Sequence, residues 1–440
     1  MQTVHDLRAH ADAKLFAGEF LPALHAYAVL VQLQPNDLDA RLRLADTLLA
    51  MGEVQAAGLI YMKLAQHAAN AGYPLRALVC LLILRELEPE LGKHVEELAT
   101  LYGKESGRLG RSVRMSLAST SIQLPGDLNL DDPPPAEELL PAAAKIGADI
   151  SRIAAYPEKV PPLPLFSELP AETFARVLGA VKLLRKRPGE VILEQGQEGM
   201  AFYVLARGRV RVEREANGQT MVLAKLHGGA IFGEMALVSA EPRSATVVAE
   251  EDCDLLQFDK VALAAAASEA TTVGAALDKF TRERLLTNLL GTAPLFRPLD
   301  RTQRLDLARR FKALDVAAGT GIIRDGDPGK GLYVILSGGV EVWKTEAETG
   351  EKVLLANLGP GEVFGEISLL HEEAATANVS AAKKSTILFL ARELFQRLVE
   401  AIAEIREYIE NLGDERLMDT RLSMETTESE PLTDDDLLFI

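Results

Sequence analysis

The sequence predicts a multidomain α and α+β chain: an N-terminal solenoid of helical hairpins, then two antiparallel β-rolls, jelly-roll-like, with flanking helices. Three observations carry this. A shift of 34 residues relates Gly18, Ala23, Tyr27 and Leu30 to Gly52, Ala57, Tyr61 and Leu64. A longer repeat, at a shift of 130 to 132, fills most of the chain after residue 162. Within each long copy, short runs alternate apolar and polar residues between glycine-rich turns, the pattern of strands with a buried face.

The first 105 residues hold the short repeat. Glycine opens a tight interhelical turn, alanine lets two helices approach, and tyrosine fills the gap toward the next hairpin. The segment resembles a tetratricopeptide-type solenoid of two to three units. Its third unit, AGYPLRALVCLLILRELEPE, departs from the strict period. Solenoids of this kind bind peptides or proteins, so an unidentified protein partner is expected here. Residues 106–161 read as a flexible linker rich in proline and serine, including LDDPPPAEELLP. Such composition offers little surface to bury against the entropy of ordering. Its R-S-V-R-M-S run (Arg111, Arg114, Ser116) has the basic spacing that arginine-reading kinases favour.

The first β-roll is placed at 162–291 and the second at 292–422. PGEVILEQGQEGMAFYVLARGRVRV (188–212) returns as AGTGIIRDGDPGKGLYVILSGGVEV (318–342) at a shift of 130. A two-residue insertion in the next hairpin moves the shift to 132. FGEMALVSAEPRSATV (232–247) then aligns with FGEISLLHEEAATANV (364–379), and Arg243 faces Ala375.

The chemistry of the first copy points to one ligand class. Gly233 lets an oxygen approach the main chain, and Glu234-Met235-Ala236 would open a short helical turn whose free N–H groups suit an anion. Arg243 can grip a phosphate with paired, charge-assisted bonds. Glu234, an acid at an anion site, makes sense as an acceptor for neutral hydroxyls such as those of a ribose. Phosphate and ribose together specify a nucleotide.

This segment resembles the phosphate-binding cassette of the cyclic nucleotide-binding domain family, and Gly189, Gly196 and Gly208 match that family's turns. The resemblance implies that Arg243 pairs with the cyclic phosphate, assisted by the backbone of Ala236 and of Ser244–Ala245. It implies that Gly233 and Glu234 hold the ribose 2′-hydroxyl, that Leu223 lines the base side, and that the helix after residue 262 is a lid. Cyclic AMP is the expected ligand ahead of cyclic GMP, although Ser244 can serve either a phosphate oxygen or a guanine 2-amino group. No cofactor is expected.

The second copy keeps Gly365 and Glu366, and its site also includes Ile367, Ser368 and Thr376, but Ala375 replaces the arginine and Asn378 a threonine-type residue. Removing one partner of a buried ion pair costs ~3–5 kcal/mol, so this site reads as degenerate. Lys383 and Lys384 are the nearest alternative cations in sequence.

The remaining features bound the function. The 440 residues carry 64 acidic and 47 basic side chains, a net charge of −17, which speaks against wholesale coating of nucleic acid or an anionic membrane. The apolar run LRALVCLLILREL is too short to span a bilayer. Cys80 and Cys253 lack metal or redox spacing and read as buried thiols. With no visible signal peptide, a cytoplasmic location is expected. The 18 residues after the second roll, 423–440, are too few for a DNA-reading module and form an acidic tail ending in LLFI, a candidate docking peptide. No catalytic motif is present in the sequence. The expected function is therefore a non-enzymatic cyclic mononucleotide receptor that adapts to protein partners through its helical repeats. Two alternatives stand beside it. One is a protein resembling the regulatory subunit of cyclic AMP-dependent kinase, and the other is a ligand-independent scaffold.

Overall fold

A computed structural model describes residues 3–88, 92–110, 130, 132–150, 156–163, 165–216, 218–234, 242–269, 271–346, 349–370 and 374–428. They fall in two compact units, Met1–Phe280 and Thr281–Ile440.

The first unit begins with helices α1 (Val4–Phe16), α2 (Phe20–Leu33), α3 (Leu38–Ala50), α4 (Val54–Asn70), α5 (Pro74–Leu87) and α6 (Gly92–Tyr102). Thr3 and Asp6 form a reciprocal capping box on α1, and Asp37 caps α3 by accepting from Ala40 N at 2.9 Å. Gly18 and Gly52 turn the chain between paired helices at φ +78° and +87°, where a side chain would be strained. The 34-residue period is visible as a repeated bond: Tyr27 donates to Asp12 and Tyr61 to Asp46, at 2.5 and 2.6 Å.

The segment read as a flexible linker contains helix α7 (Ala136–Ala148), which packs on α2, α3 and α4. Leu139, Ala143 and Gly147, each four residues apart, form its buried stripe. The buried Arg41 of α3 donates to the carbonyls of Ile146 and Gly147, at 2.9 and 2.8 Å, closing the C-terminal end of α7. Composition pointed to a linker because the prolines mask this stripe. The segment 111–129, with Arg111, Arg114 and Ser116, lies outside the described residues.

After α8 (Ala171–Gly179) comes the first roll: β1 (Val181–Lys186), β2 (Val191–Leu193), β3 (Ala201–Arg207), β4 (Arg209–Ala216), β5 (Gln219–His227), β6 (Ile231–Phe232), β7 (Thr246–Ala249) and β8 (Cys253–Asp259), followed by α9 (Lys260–Glu269). Two antiparallel sheets result, in the orders β1-β8-β3-β6 and β2-β7-β4-β5. Strand β3 is buried on both faces. Tyr203 and Leu205 pack inside the roll, whereas Phe202, Val204 and Ala206 join the core of the helical region. The helices are therefore part of the first unit and share its core.

An ionic cluster reinforces that junction. Arg207 reaches Asp254 and Asp252 at 2.7 and 2.5 Å, Arg185 joins Asp254 to Asp46 at 3.2 and 2.9 Å, and Arg43 of α3 bridges Asp46 and Asp252. Asp254 is fully buried; burial alone would raise its pKa, but Arg207, Arg185 and Arg43 bring it below the ordinary value. Nearby, burial opposes and Arg76 outweighs it at Asp39, whose pKa falls to about 2.

The second unit repeats the plan after α11 (Arg301–Ala308): β9 (Lys312–Val316), β10 (Gly321–Ile323), β11 (Gly331–Ser337), β12 (Val340–Thr345), β13 (Lys352–Leu358), β14 (Val363–Phe364), α12 (Ile367–Leu370), β15 (Asn378–Ala381) and β16 (Ser385–Ala391), then α13 (Arg392–Ala401) and α14 (Ala403–Glu428). Its sheets run β9-β16-β11-β14 and β10-β15-β12-β13. The two-residue insertion falls between β12 and β13, in the hairpin turn. Helix α10 (Thr271–Thr292) crosses from one unit to the next in sequence, with Phe280 in the first core and Leu285 and Leu289 in the second.

Asp254→Ala should destabilise the first unit by ~1–3 kcal/mol, because Arg207 and Arg185 lose a shared, fully buried acceptor and keep only Asp252 and Asp46. Faster hydrogen exchange across the β3 and β8 amides would measure it. Acid acts in the same direction. The folded pKa of Asp39 lies below its unfolded value of about 3.9, so its contribution is present above about pH 4 and is lost as pH falls toward 2. An acid titration of the same amides should show protection falling through that window.

Candidate functional site

In the first roll, strand β6 ends at Gly233, whose φ of +75° excludes most side chains. Glu234 follows, 4% exposed. Met235 and Ala236 lie outside the described residues. Arg243 is fixed through its backbone, donating from N to Gln197 O at 2.9 Å and accepting at O from Gly196 N at 2.8 Å. Its guanidinium then turns inward, donating through Nη1 to Gly233 O at 2.9 Å and through Nη2 to Ala201 O at 2.6 Å. Nε is buried without a hydrogen-bond partner among the described residues. Burial lowers the Arg243 pKa, opposed by Tyr203 and Glu234, yet arginine stays protonated in proteins. The result is a partly buried cation that donates to two neutral carbonyls, an arrangement chemically suited to an anion.

Gly199, which sequence reasoning passed over, shapes that site. A Cβ there would lie 2.6 Å from Nη2 and 2.8 Å from Nε of Arg243, so the guanidinium rests against bare backbone. Its only signal in the sequence was a glycine in a turn-rich stretch. Leu223 sits on β5 with half its surface exposed, Ser244 is exposed and Ala245 half-buried, all three on described backbone.

The second roll reproduces the frame. Ala375 donates from N to Asp327 O and accepts at O from Gly326 N, both at 2.8 Å, and Gly365 has φ +84°. Asn378 does the work of Thr246: its Oδ1 accepts from Asp325 N at 3.1 Å, as Thr246 Oγ1 accepts from Gln195 N at 3.0 Å. The exchange read as a departure thus preserves the anchoring bond. At position 375 itself, a buried methyl stands in place of the guanidinium. Glu366 remains, 2% exposed. Ile367, Ser368, Thr376 and Leu355, the counterpart of Leu223, line a cavity of about 110 Å³ beside it. Lys383 and Lys384 are exposed on the turn between β15 and β16 and do not line this cavity. The guanidinium that does reach it is Arg416 of α14, donating to Glu366 Oε1 at 2.8 Å and Val363 O at 2.6 Å. No local motif announces Arg416; only the need of Glu366 for a counterion hints at it.

Among the described residues, no group of three or more His, Cys, Asp or Glu side chains is placed to hold a metal ion, and no helix is long and apolar enough to cross a membrane. Cys80 and Cys253 are buried thiols, both pushed up in pKa by burial.

The family model for the cyclic nucleotide-binding domain matches residues 183–269 and 313–401, one stretch in each roll. Similar proteins include the cAMP-dependent protein kinase regulatory subunit of Blastocladiella emersonii, 32% identical over 245 residues, covering 55% of this chain and 58% of that protein. The corresponding subunit of Yarrowia lipolytica is 29% identical over 312 residues, covering 67% and 79%. That of Dictyostelium discoideum is 30% identical over 246 residues, covering 55% and 72%. The chain thus spans a little over half the length of the first relative and about seven tenths or more of the other two. Two rolls, each built on a cassette frame, define a protein with tandem cyclic nucleotide-binding domains. The chain belongs to the family of cAMP-dependent protein kinase regulatory subunits.

Gly199→Ala offers a test of the first site that leaves every polar group in place. Its Cβ would displace the Arg243 guanidinium, so cyclic AMP affinity measured by calorimetry should fall at least ~10-fold, about 1.4 kcal/mol, with the melting temperature nearly unchanged.

Proposed function

We propose that this chain is a non-catalytic regulatory subunit that binds a cyclic mononucleotide, cyclic AMP ahead of cyclic GMP, in its first roll and thereby controls a kinase catalytic subunit. The observation that carries the reading is the position of Arg243. One of two equivalent cassette frames presents a partly buried guanidinium, backed by Gly199 and beside Glu234. In the bound state Arg243 would pair with the phosphate, with the backbone of Ala236, Ser244 and Ala245 assisting. Gly233 and Glu234 would accept the ribose hydroxyl, and Leu223 would border the base. The second roll, with Ala375, is read as not binding nucleotide.

Of the readings left open by the sequence, the kinase-regulatory one displaces the adaptor built on helical repeats. The relatives are named as kinase regulatory subunits, and the helical region contributes to the same core as the first roll. The helices keep a cavity of about 1160 Å³ bordered by Lys63, His67, His94, Glu97 and Lys145. It supports, as a second partner surface, a protein contact of the tetratricopeptide-like kind. Arg111, Arg114 and Ser116 supply the segment that an arginine-reading kinase would engage. The acidic tail remains a candidate docking peptide, and a cytoplasmic protein with no nucleic-acid partner fits the charge balance.

Arg243→Ala in the full chain should lower cyclic AMP affinity at least ~100-fold, the loss of a charge-assisted bidentate contact, while circular dichroism stays unchanged. Wild-type affinity in this variant would sink the assignment. In calorimetry the wild-type chain should take up one equivalent of cyclic AMP, and cyclic GMP binding tenfold tighter would reverse the ligand preference. A pull-down of a cAMP-dependent kinase catalytic subunit should succeed with the wild-type chain and fail with Arg111→Ala/Arg114→Ala. Equal capture by both would remove the linker segment from the interface.

A further inference from the structure

We propose that the Glu366 pocket of the second roll is a seat for the chain's own C-terminal helix, with the Arg416 side chain as its occupant. A carboxylate only 2% exposed requires a partner, because an unpaired buried charge is severely penalised. The partner comes from fifty residues further along the chain. Arg416 bonds the carboxylate at 2.8 Å and, with the same Nη1, the carbonyl of Val363 at 2.6 Å. This is a charge-assisted contact between α14 and the cassette.

The place that Arg243 fills in the first roll is also taken. Ser368 Oγ donates to Gly365 O at 3.1 Å, as Arg243 Nη1 donates to Gly233 O at 2.9 Å. A Cβ on Gly329, the counterpart of Gly199, would lie 2.9 Å from the Ser368 Cβ. A neutral hydroxyl thus satisfies the carbonyl that a guanidinium satisfies in the other copy. What remains is about 110 Å³, well below the roughly 300–1,000 Å³ of a typical ligand pocket. The pocket is charge-balanced and filled from within.

Arg416 also stands at a telling place on α14. Ile405 and Ile409 are fully buried in the second unit's core, and Met418 is 65% exposed. The apolar anchors therefore end before the Arg416 turn, and the Glu366 contact holds the helix beyond them. Anything that competes for the Glu366 carboxylate would release this end of the helix and the chain that follows.

Hydrogen exchange on the full-length chain tests this without any nucleotide, so its outcome is independent of ligand binding in the first roll. Arg416→Ala should accelerate exchange of amides 410–418 at least ~10-fold, equivalent to about 1.4 kcal/mol, with β3 and β8 unchanged. Glu366→Gln should accelerate the same amides, since it removes the other half of the pair. Arg416→Lys keeps the charge but puts a shorter ammonium in place of the planar guanidinium, so its rates should fall between wild type and alanine. That ranking remains readable even if the alanine variant opens the whole second unit. Wild-type exchange in both Arg416→Ala and Glu366→Gln would overturn the proposal, as would a lysine variant indistinguishable from alanine.

Discussion

Each roll is organised around one strand that is apolar on both faces. In β3 the sequence AFYVLA leaves no solvent side: alternate residues fill the roll, and the others need a second cover. In the first unit the cover includes the N-terminal helices, which therefore contribute to the fold as well as extending from it. In the second, β11 reads LYVIL and its outward residues Leu332, Val334 and Leu336 pack with the residues of α13 and α14. The requirement to cover this strand twice fixes where helices must lie. Those helices in turn decide which charged groups can approach the cassettes.

The two cassettes show two ways of balancing a buried acid. Glu234 and Glu366 occupy matching positions, and both are almost fully buried. In the first copy a local guanidinium, nine residues on, lies near enough to act on the acid electrostatically. In the second the local guanidinium is gone, and a distant one supplies the charge. The second site is not a vacant version of the first. Ser368 bonds the carbonyl that corresponds to the one Arg243 bonds, and Arg416 supplies the charge beside the acid.

What the sequence made legible was what repeats. The 34-residue shift foretold paired helices, and the structure adds an equivalent tyrosine–aspartate bond in each pair. The change from 130 to 132 located a hairpin insertion between β12 and β13. Arg243 was legible because its chemistry is written within sixteen consecutive residues. Helix α7 was not, since its stripe of Leu139, Ala143 and Gly147 is diluted by prolines and gains meaning only against α3 and α4. The Arg43–Asp252 and Arg416–Glu366 contacts join residues too far apart for any periodicity to reveal. Asn378 was misread for a related reason: its type differs from threonine, but its carbonyl oxygen serves the same amide.

The packing of α7 bears on residues 111–129, the stretch proposed to meet a kinase. Before it, Gly110 donates to Val160 O and Lys159 reaches Gly107 O, while after it Leu130 is buried in the core of the same unit. The described residues that flank positions 111–129 thus belong to the same unit. A single protease cut between Gly110 and Leu130 would leave two fragments held together by that unit's core, and they would part only on denaturation.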